Sequence, residues 1–328
     1  MKAVLCKAYG PPEELVLEDV APLTPAKGQV VLAVKACGVN FPDALIIQGK
    51  YQFKPEMPFS PGGEVAGVVK SLGEGVEGVR VGSRVISFTG WGGFAEEIAS
   101  DASKLIPIPD GMDFSTASAF VMTYGTSYYA LKNRAQLQPG ETLLVLGAAG
   151  GVGLAALEIA KVMGARVIAA ASTDEKLAVC KEHGADEVIN YTTEDLKERL
   201  KALTKSNGVD VVYDPVGGNY SEVALRNMAW EGRYLVIGFA AGDIPRIPLN
   251  LPLLKGCSIV GVFWGTFAAR NPKGNLQNLQ ELLAWFQAGK IKPLVSATYS
   301  LKDAAHALND MMQRKVTGKV VLLTEEDE

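Results

Sequence analysis

Over roughly its first 120 residues the chain alternates short β-branched runs with Gly- and Pro-rich breaks. The segments 29–36, 63–71 and 83–88 read as strands, with PPEE, TPAKG and LGEG between them. Runs of this length and spacing predict an antiparallel, barrel-like unit rather than βαβ repeats. The rhythm changes near Met122. From Glu141 onward, buried-strand patterns at 142–146, 166–171, 187–190, 209–213 and 234–237 alternate with helical patterns at 152–163, 174–183, 194–204 and 222–229. Strands separated by such helices predict a parallel, doubly wound sheet. Gly164 and Gly184 stand where a helix would need a left-handed stop. Past a last strand at 259–263 come helices at 276–287 and 303–313 and a strand at 319–323, too few pieces for a third core. The expected organisation is therefore a discontinuous first domain, 1–122 with 265–328, and an α/β domain, 123–264. The closing TEEDE reads as a solvated end.

Composition narrows the class. The chain has 328 residues, enough for two cores without staples. Its formal net charge of −4 and lack of a Lys/Arg cluster argue against nucleic acid as a partner. No apolar run is long enough to span a bilayer, and the first residues lack a signal peptide's apolar core. Cys6, Cys37, Cys180 and Cys257 are scattered and form no CxxC pair, so a disulfide framework or zinc lobe is not expected and a reduced, cytoplasmic setting is. Glycine is the outlier: 35 residues, well above the usual share, point to tight turns and places of close backbone approach.

The sharpest local signal is LLVLGAAGGVGLAALEIA. Gly147, Gly150 and Gly153 follow an apolar strand and open a helix, spaced GxxGxxG. In a dinucleotide-binding turn the first glycine allows the sharp turn, the second lets the backbone approach a pyrophosphate, and the third lets helix and strand pack closely. Backbone N–H groups at the helix start, those of Gly151 and Val152 included, would hold the phosphate oxygens. An NAD site usually carries an acid at the tip of the second strand. Here that strand ends Ala-Ala-Ala, followed by Ser172 and, four residues on, Lys176. A hydroxyl plus a cation suits the 2′-phosphate of NADPH. Asp174 is the competing ribose acid, or a first-turn helix carboxylate.

Taken together, CGVNFPDALIIQGKY (37–51), PGGEVAGVV (61–69), VGSRV (81–85), GGFAE (92–96), TYGTSYYAL (123–131), GAAGGVG (147–153), DPVGG (214–218), VGVFWG (260–265) and GKVVLL (318–323) resemble the zinc-independent quinone oxidoreductase branch of the medium-chain dehydrogenase/reductase superfamily. The resemblance spans essentially the whole chain. It implies a GroES-like barrel domain plus a Rossmann domain, with the active site in the cleft between them. It also implies NADPH as cofactor and a small quinone or related α,β-unsaturated carbonyl as substrate. A 2-enoyl thioester reductase is the alternative.

The resemblance assigns residues as well. Asn40 would face nicotinamide and substrate and offer its amide to a carbonyl, the competing reading being a turn residue ahead of Pro42. Tyr51 would be a proton donor or a wall of the cleft. Thr126 would bond the nicotinamide amide; Tyr191 and Arg314 would join Lys176 about the 2′-phosphate, although Arg314 also reads as a helix C-terminal cation. Phe41, Phe53, Trp91, Phe263 and Trp264 are candidates for pocket lining or core. Zinc-dependent relatives present Cys and His where this chain has Asn40 and Gly62-Gly63-Glu64, so no metal is expected. His183 and His306 read as surface residues, and Cys37 as a small buried one. The apolar strand near 259–263 is expected to pair with a second copy, giving a homodimer.

Overall fold

The computed structural model describes residues 1–324; the acidic residues 325–328 of the tail lie outside the described residues. The chain divides into two compact units, Met1–Met122 with Leu294 onward, and Thr123–Pro293.

The first unit opens with the ladder of β1 (Lys2–Leu5) and β2 (Val16–Asp19) and then the long strand β3 (Gln29–Gly38). After α1 (Phe41–Ile46) follow β4 (Glu64–Leu72), β5 (Arg84–Phe88), β6 (Glu97–Asp101), β7 (Ile106–Pro107) and α2 (Phe114–Ser118). The helix α3 (Val121–Tyr128) leads into the second unit.

There the chain runs β8 (Thr142–Leu146), α4 (Gly151–Val162), β9 (Arg166–Ala171), α5 (Asp174–Glu182), β10 (Glu187–Asn190), α6 (Leu196–Thr204) and β11 (Val209–Asp214). It continues through α7 (Asn219–Arg226), β12 (Met228–Val236), α8 (Asn250–Lys255), β13 (Ser258–Gly261), α9 (Trp264–Arg270) and α10 (Pro272–Gln287). The first unit is then completed by β14 (Val295–Ser300), α11 (Ala304–Met312) and β15 (Lys319–Leu323).

The second unit's sheet has the order β10-β9-β8-β11-β12-β13, every pair parallel. Its central strands β8 and β11 are buried along most of their length because helices cover both faces. Leu143, Leu144, Val145 and Leu146 are all fully buried. The winding reverses between β8 and β11, so the crevice beyond the carboxyl ends of those two strands is the topological switch point.

In the first unit β3 is the hub. It pairs antiparallel with β4, β6 and β15, and Val30, Val31, Leu32, Val34 and Ala36 along it are buried. Its last residue, Gly38, has no room for a side chain: a Cβ there would lie 2.1 Å from the Ser118 carbonyl oxygen of α2.

The expected return to the first domain at residue 265 is corrected. Residues 265–293 stay with the second unit. The reason lies in α10, where Asn278, Leu279 and Leu282 are buried. Glu281 accepts from Lys132 Nζ at 2.6 Å and from the Tyr128 hydroxyl, and Asn278 donates to Asn133 at 2.8 Å. The strand β14 was not foreseen. It alternates half-buried Val295, Ala297 and Tyr299 with exposed Ser296 and Thr298, and among the described residues it pairs with β15 alone, an edge strand with a weak apolar pattern.

Candidate active site

Three glycines of the loop after β8 have three different needs. Gly147 has φ +58°, and a Cβ on it would lie 2.7 Å from Val216 Cγ2. Gly153, inside the first turn of α4, would place a Cβ 2.5 Å from the Ala148 carbonyl oxygen and 2.6 Å from that of Gly147. Gly150 is the N-cap of α4, with φ −76°. Its Cβ would meet only the Gly147 carbonyl oxygen, at 3.4 Å, so that side of the backbone is open to a ligand. The Gly150 N–H closes the turn onto Gly147 O at 3.1 Å. The following N–H groups, of Gly151 and Val152, begin a 12-residue helix whose dipole favours an anion at this end.

The carboxyl ends of β9 and β10 gather the next group. Ser172 follows β9 and is half-buried, and its carbonyl accepts the Thr192 hydroxyl at 2.9 Å. Thr173 caps α5 by accepting the Lys176 N–H at 3.3 Å, which sets half-buried Lys176 one turn into the helix. Tyr191 follows β10 directly, donates its N–H to Ala171 O at 3.2 Å, and lies with its ring centroid 4.4 Å from that of Tyr220. Asp174 accepts the Asn190 side-chain amide at 2.8 Å, so its carboxylate serves the α5–β10 junction. Thr126 is half-buried on α3, beside Ser127, whose hydroxyl donates to Val152 O at 2.9 Å and so ties α3 to the start of α4. Arg314 belongs to the first unit, on the exposed turn after α11, at φ +58°.

In the first unit, Asn40 caps α1 and forms a reciprocal capping box with Asp43. Asn40 Nδ2 donates to Gly38 O at 3.2 Å and to Glu64 Oε2 at 3.1 Å, while its Oδ1 accepts Lys319 Nζ at 2.6 Å. Lys319 also donates to Val39 O at 2.8 Å and stands 3.7 Å from Glu64. Asp43 accepts the N–H groups of Asn40, at 2.8 Å, and Gly62, at 3.2 Å. Glu64 accepts the Met122 N–H at 2.8 Å. Both hydrogens of the Asn40 amide are thus engaged within the unit. In this arrangement Asn40 is the clamp of a buried polar cluster.

Burial governs the charges of this cluster. It raises the Glu64 carboxyl and pulls the Lys319 ammonium down, each opposed by attraction to the other. It pushes Asp43 up to about 7 against the hydrogen bonds it accepts, and the Cys37 thiol well above its ordinary range. Two carboxyls share one ammonium here, so one of them favours its proton. Asp43, Glu64 and Lys319 were not singled out in the sequence. The available signal was a charge at the head of two otherwise apolar central strands, EVAGVV and KVVLL, which requires an opposite charge opposite it.

Tyr51 sits in the turn after α1, half-buried at the edge of the first core, its ring centroid 5.8 Å from that of Phe53. Burial raises its phenol, and the Asp43 carboxylate adds to the rise, so the group is a proton-bearing hydroxyl at neutral pH. Of the other aromatics, Phe53, Trp91 and Phe263 are exposed, and Trp264 is core, its indole N–H donating to Asn275 at 2.9 Å. His183 departs from its expected surface place: its side chain is 13% exposed and its Nδ1 lies 2.7 Å from Glu158. Among the described residues no group of three or more His, Cys, Asp or Glu side chains is placed to hold a metal ion.

Comparison with known proteins decides the family. Residues 26–110 match the alcohol dehydrogenase GroES-like domain, and residues 151–286 match the zinc-binding dehydrogenase family. The "Quinone oxidoreductase-like protein 2 homolog" of Nematostella vectensis is 42% identical, over 99% of this chain and 89% of that relative. The chain belongs to the quinone oxidoreductase family of the medium-chain dehydrogenase/reductase superfamily. The barrel-like unit is accordingly the family's GroES-like domain and the parallel unit its Rossmann domain. The structure of Escherichia coli quinone oxidoreductase complexed with NADPH superposes with a TM-score of 0.91 at 31% identity, over 98% of this chain and all of that one. The CurK enoyl reductase superposes with a TM-score of 0.89 at 28% identity, over 98% of both chains.

Proposed function

We propose that this oxidoreductase uses NADPH, without zinc, to reduce a quinone or a related α,β-unsaturated carbonyl. The observation that carries the reading is the pair of neighbouring strand ends, where Ser172 and Lys176 follow β9 and Tyr191 follows β10, while Asp174 accepts from Asn190. That arrangement suits a 2′-phosphate better than a ribose diol. The NADPH complex of the Escherichia coli relative supports it.

When bound, the dinucleotide supplies a hydride, two electrons and one proton nucleus, to the acceptor. The chain's part is position and proton supply. The glycine loop and the start of α4 would hold the pyrophosphate; Ser172, Lys176 and Tyr191 would hold the 2′-phosphate; Thr126 would orient the nicotinamide amide. A quinone or enone spreads the incoming charge onto its oxygen, so it needs a hydrogen-bond donor there rather than a Lewis acid. With the Asn40 amide engaged elsewhere, the Tyr51 hydroxyl is the donor. It supplies the proton to the reduced oxygen or enolate and recovers one from water.

The decisive experiment measures NADPH oxidation with quinones, enones, 2-enoyl thioesters and simple aldehydes, before and after dialysis against a strong chelator. Turnover of quinones or enones, unaltered by the chelator, is expected. Fast turnover of simple aldehydes, or loss of activity on chelation, would overturn the reading. The CurK neighbour and Tyr51 favour a second reading, reduction of a 2-enoyl thioester. It wins if thioesters turn over, Tyr51→Phe abolishes that activity, and quinones are inert.

The reading includes a homodimer in the cytoplasm. The strand β13 is the free edge of the parallel sheet, and near it in sequence Ile244, Leu249, Leu253 and Leu254 are each at least 70% exposed. A free edge beside exposed apolar side chains invites a second copy. Light scattering should report twice the chain mass, and a monomer at micromolar concentration would sink this part.

A further inference from the structure

The loop at 215–218, which with Asp214 makes the DPVGG segment, has no role in the reading above, yet it is fastened both at its root and to the segment after β12. It follows β11, across the switch point from the glycine loop. Asp214 at its root is 2% exposed and accepts four hydrogen bonds. Its Oδ1 takes the N–H groups of Val216, at 2.8 Å, and Gly217, at 2.9 Å; its Oδ2 takes the Ser221 hydroxyl, at 2.7 Å, and the Tyr234 hydroxyl. The same loop is zipped to the segment after β12: Ala240 N–H donates to Pro215 O, Ala241 N–H to Val216 O, and Gly218 N–H to Asp243 O, at 2.8–3.2 Å. Its far side rests on the glycine loop, where Val216 Cγ2 occupies the place a side chain at Gly147 would need.

Strand order then fixes which part of a dinucleotide this loop meets. The 2′-phosphate residues lie beyond β9 and β10, on one side of β8, and the glycine loop lies beyond β8 itself. A dinucleotide whose pyrophosphate crosses the glycine loop runs its other half toward β11. The geometry points to Asp214 as a positioning residue: through Ser221, Tyr234 and the Val216 and Gly217 amides it holds the 215–218 loop at the height where it meets the nicotinamide half of the cofactor. This rests on the NADPH reading above. Burial and the neighbouring carboxylate raise the Tyr234 phenol far above its ordinary value, so it remains a donor at every working pH.

The test splits the cofactor. Wild type, Ser221→Ala, Tyr234→Phe and Asp214→Asn are titrated with NADPH and with 2′,5′-ADP, which carries only the adenosine half. Each single hydroxyl deletion removes one hydrogen bond to a charged group and should weaken NADPH by about tenfold. Asp214→Asn, which turns a donor toward both hydroxyls, should weaken it more, and 2′,5′-ADP should bind all the variants within a factor of two of wild type. Equal losses of both ligands would make the clamp a general support of the fold and overturn the proposal, as would unchanged NADPH affinity. If Asp214→Asn fails to fold, the two hydroxyl variants carry the test alone. A wild type that binds neither ligand overturns the NADPH reading, and the proposal with it. A wild type that binds both, with variants that lose both, overturns the proposal alone.

Discussion

Replacing Gly150 and Gly153 separately by alanine should divide the binding of cofactor from the stability of the fold. At Gly150 the new methyl finds one neighbour within 4 Å, the Gly147 carbonyl oxygen at 3.4 Å, and the backbone is already at φ −76°. An alanine is a poorer N-cap than glycine, so the fold should lose no more than about 1 kcal/mol. The methyl would project, however, into the open side where a pyrophosphate oxygen approaches. Losing one charge-assisted hydrogen bond there costs about 1.5–3 kcal/mol, or roughly 10- to 100-fold in Kd. At Gly153 the balance reverses. The methyl would lie 2.5 and 2.6 Å from two backbone oxygens, and no side chain can swing away to relieve it. Moving α4 off its loop should cost about 1–3 kcal/mol, less whatever alanine gains over glycine in a helix. The assay is urea unfolding of each variant beside fluorescence titration with NADPH and with 2′-AMP, which has the 2′-phosphate but no pyrophosphate. Gly150→Ala should be nearly as stable as wild type, bind 2′-AMP normally and bind NADPH poorly. A Gly150→Ala protein with wild-type NADPH affinity, or a Gly153→Ala protein with undiminished stability, would refute the reasoning.

Lys176→Ala should weaken NADPH about tenfold and leave NADH nearly untouched, read as the ratio of kcat/KM with the two cofactors; a preference for NADH in the wild type would contradict the assignment. Asp43, raised to about 7 by burial, holds its proton in the folded state at pH values where the unfolded chain has released it. Its contribution is therefore complete below about pH 4 and lost as pH rises through about 7, so Asp43→Asn should gain roughly 2–3 kcal/mol on wild type in urea unfolding between pH 5 and pH 8. A maleimide should label Cys257, the half-buried thiol, well before buried Cys6, Cys37 and Cys180, which should react only on unfolding; mass spectrometry of the native protein decides.

The second unit was legible because its signals are local. The strands at 142–146 and 166–171 are apolar after their first residue, the short strand at 187–190 has Val188 and Ile189 at its centre, and each lies where the pattern placed it. The glycine loop was readable for the same reason: turn, approach and packing are all set within seven residues. What escaped was tertiary. The short helix α1 begins on a capping box that is plain only once Asn40 and Asp43 are seen to face each other, and the pattern of α10 carries no sign of its partners Tyr128, Lys132 and Asn133, which hold it in the second unit rather than the first. The Asn40–Glu64–Lys319 cluster joins three segments far apart in the chain, so no spacing rule could assemble it.

The place of β15 in the first sheet has a bearing on how the chain is made. Glu64 is completely buried, and the ammonium opposite it sits on the last strand, with the whole parallel unit translated in between. On a ribosome adding about 5–20 residues per second, the carboxylate waits tens of seconds for Lys319. Until then one side of β3, from Ala36 to Gly38, has no strand to pair with. The inserted 123–293 unit, contiguous and with its own core, has every element it needs before the surrounding unit does. Vectorial synthesis thus makes the surrounding unit the last to be finished, and keeps one side of β3 unpaired and Glu64 without its ammonium in the interval.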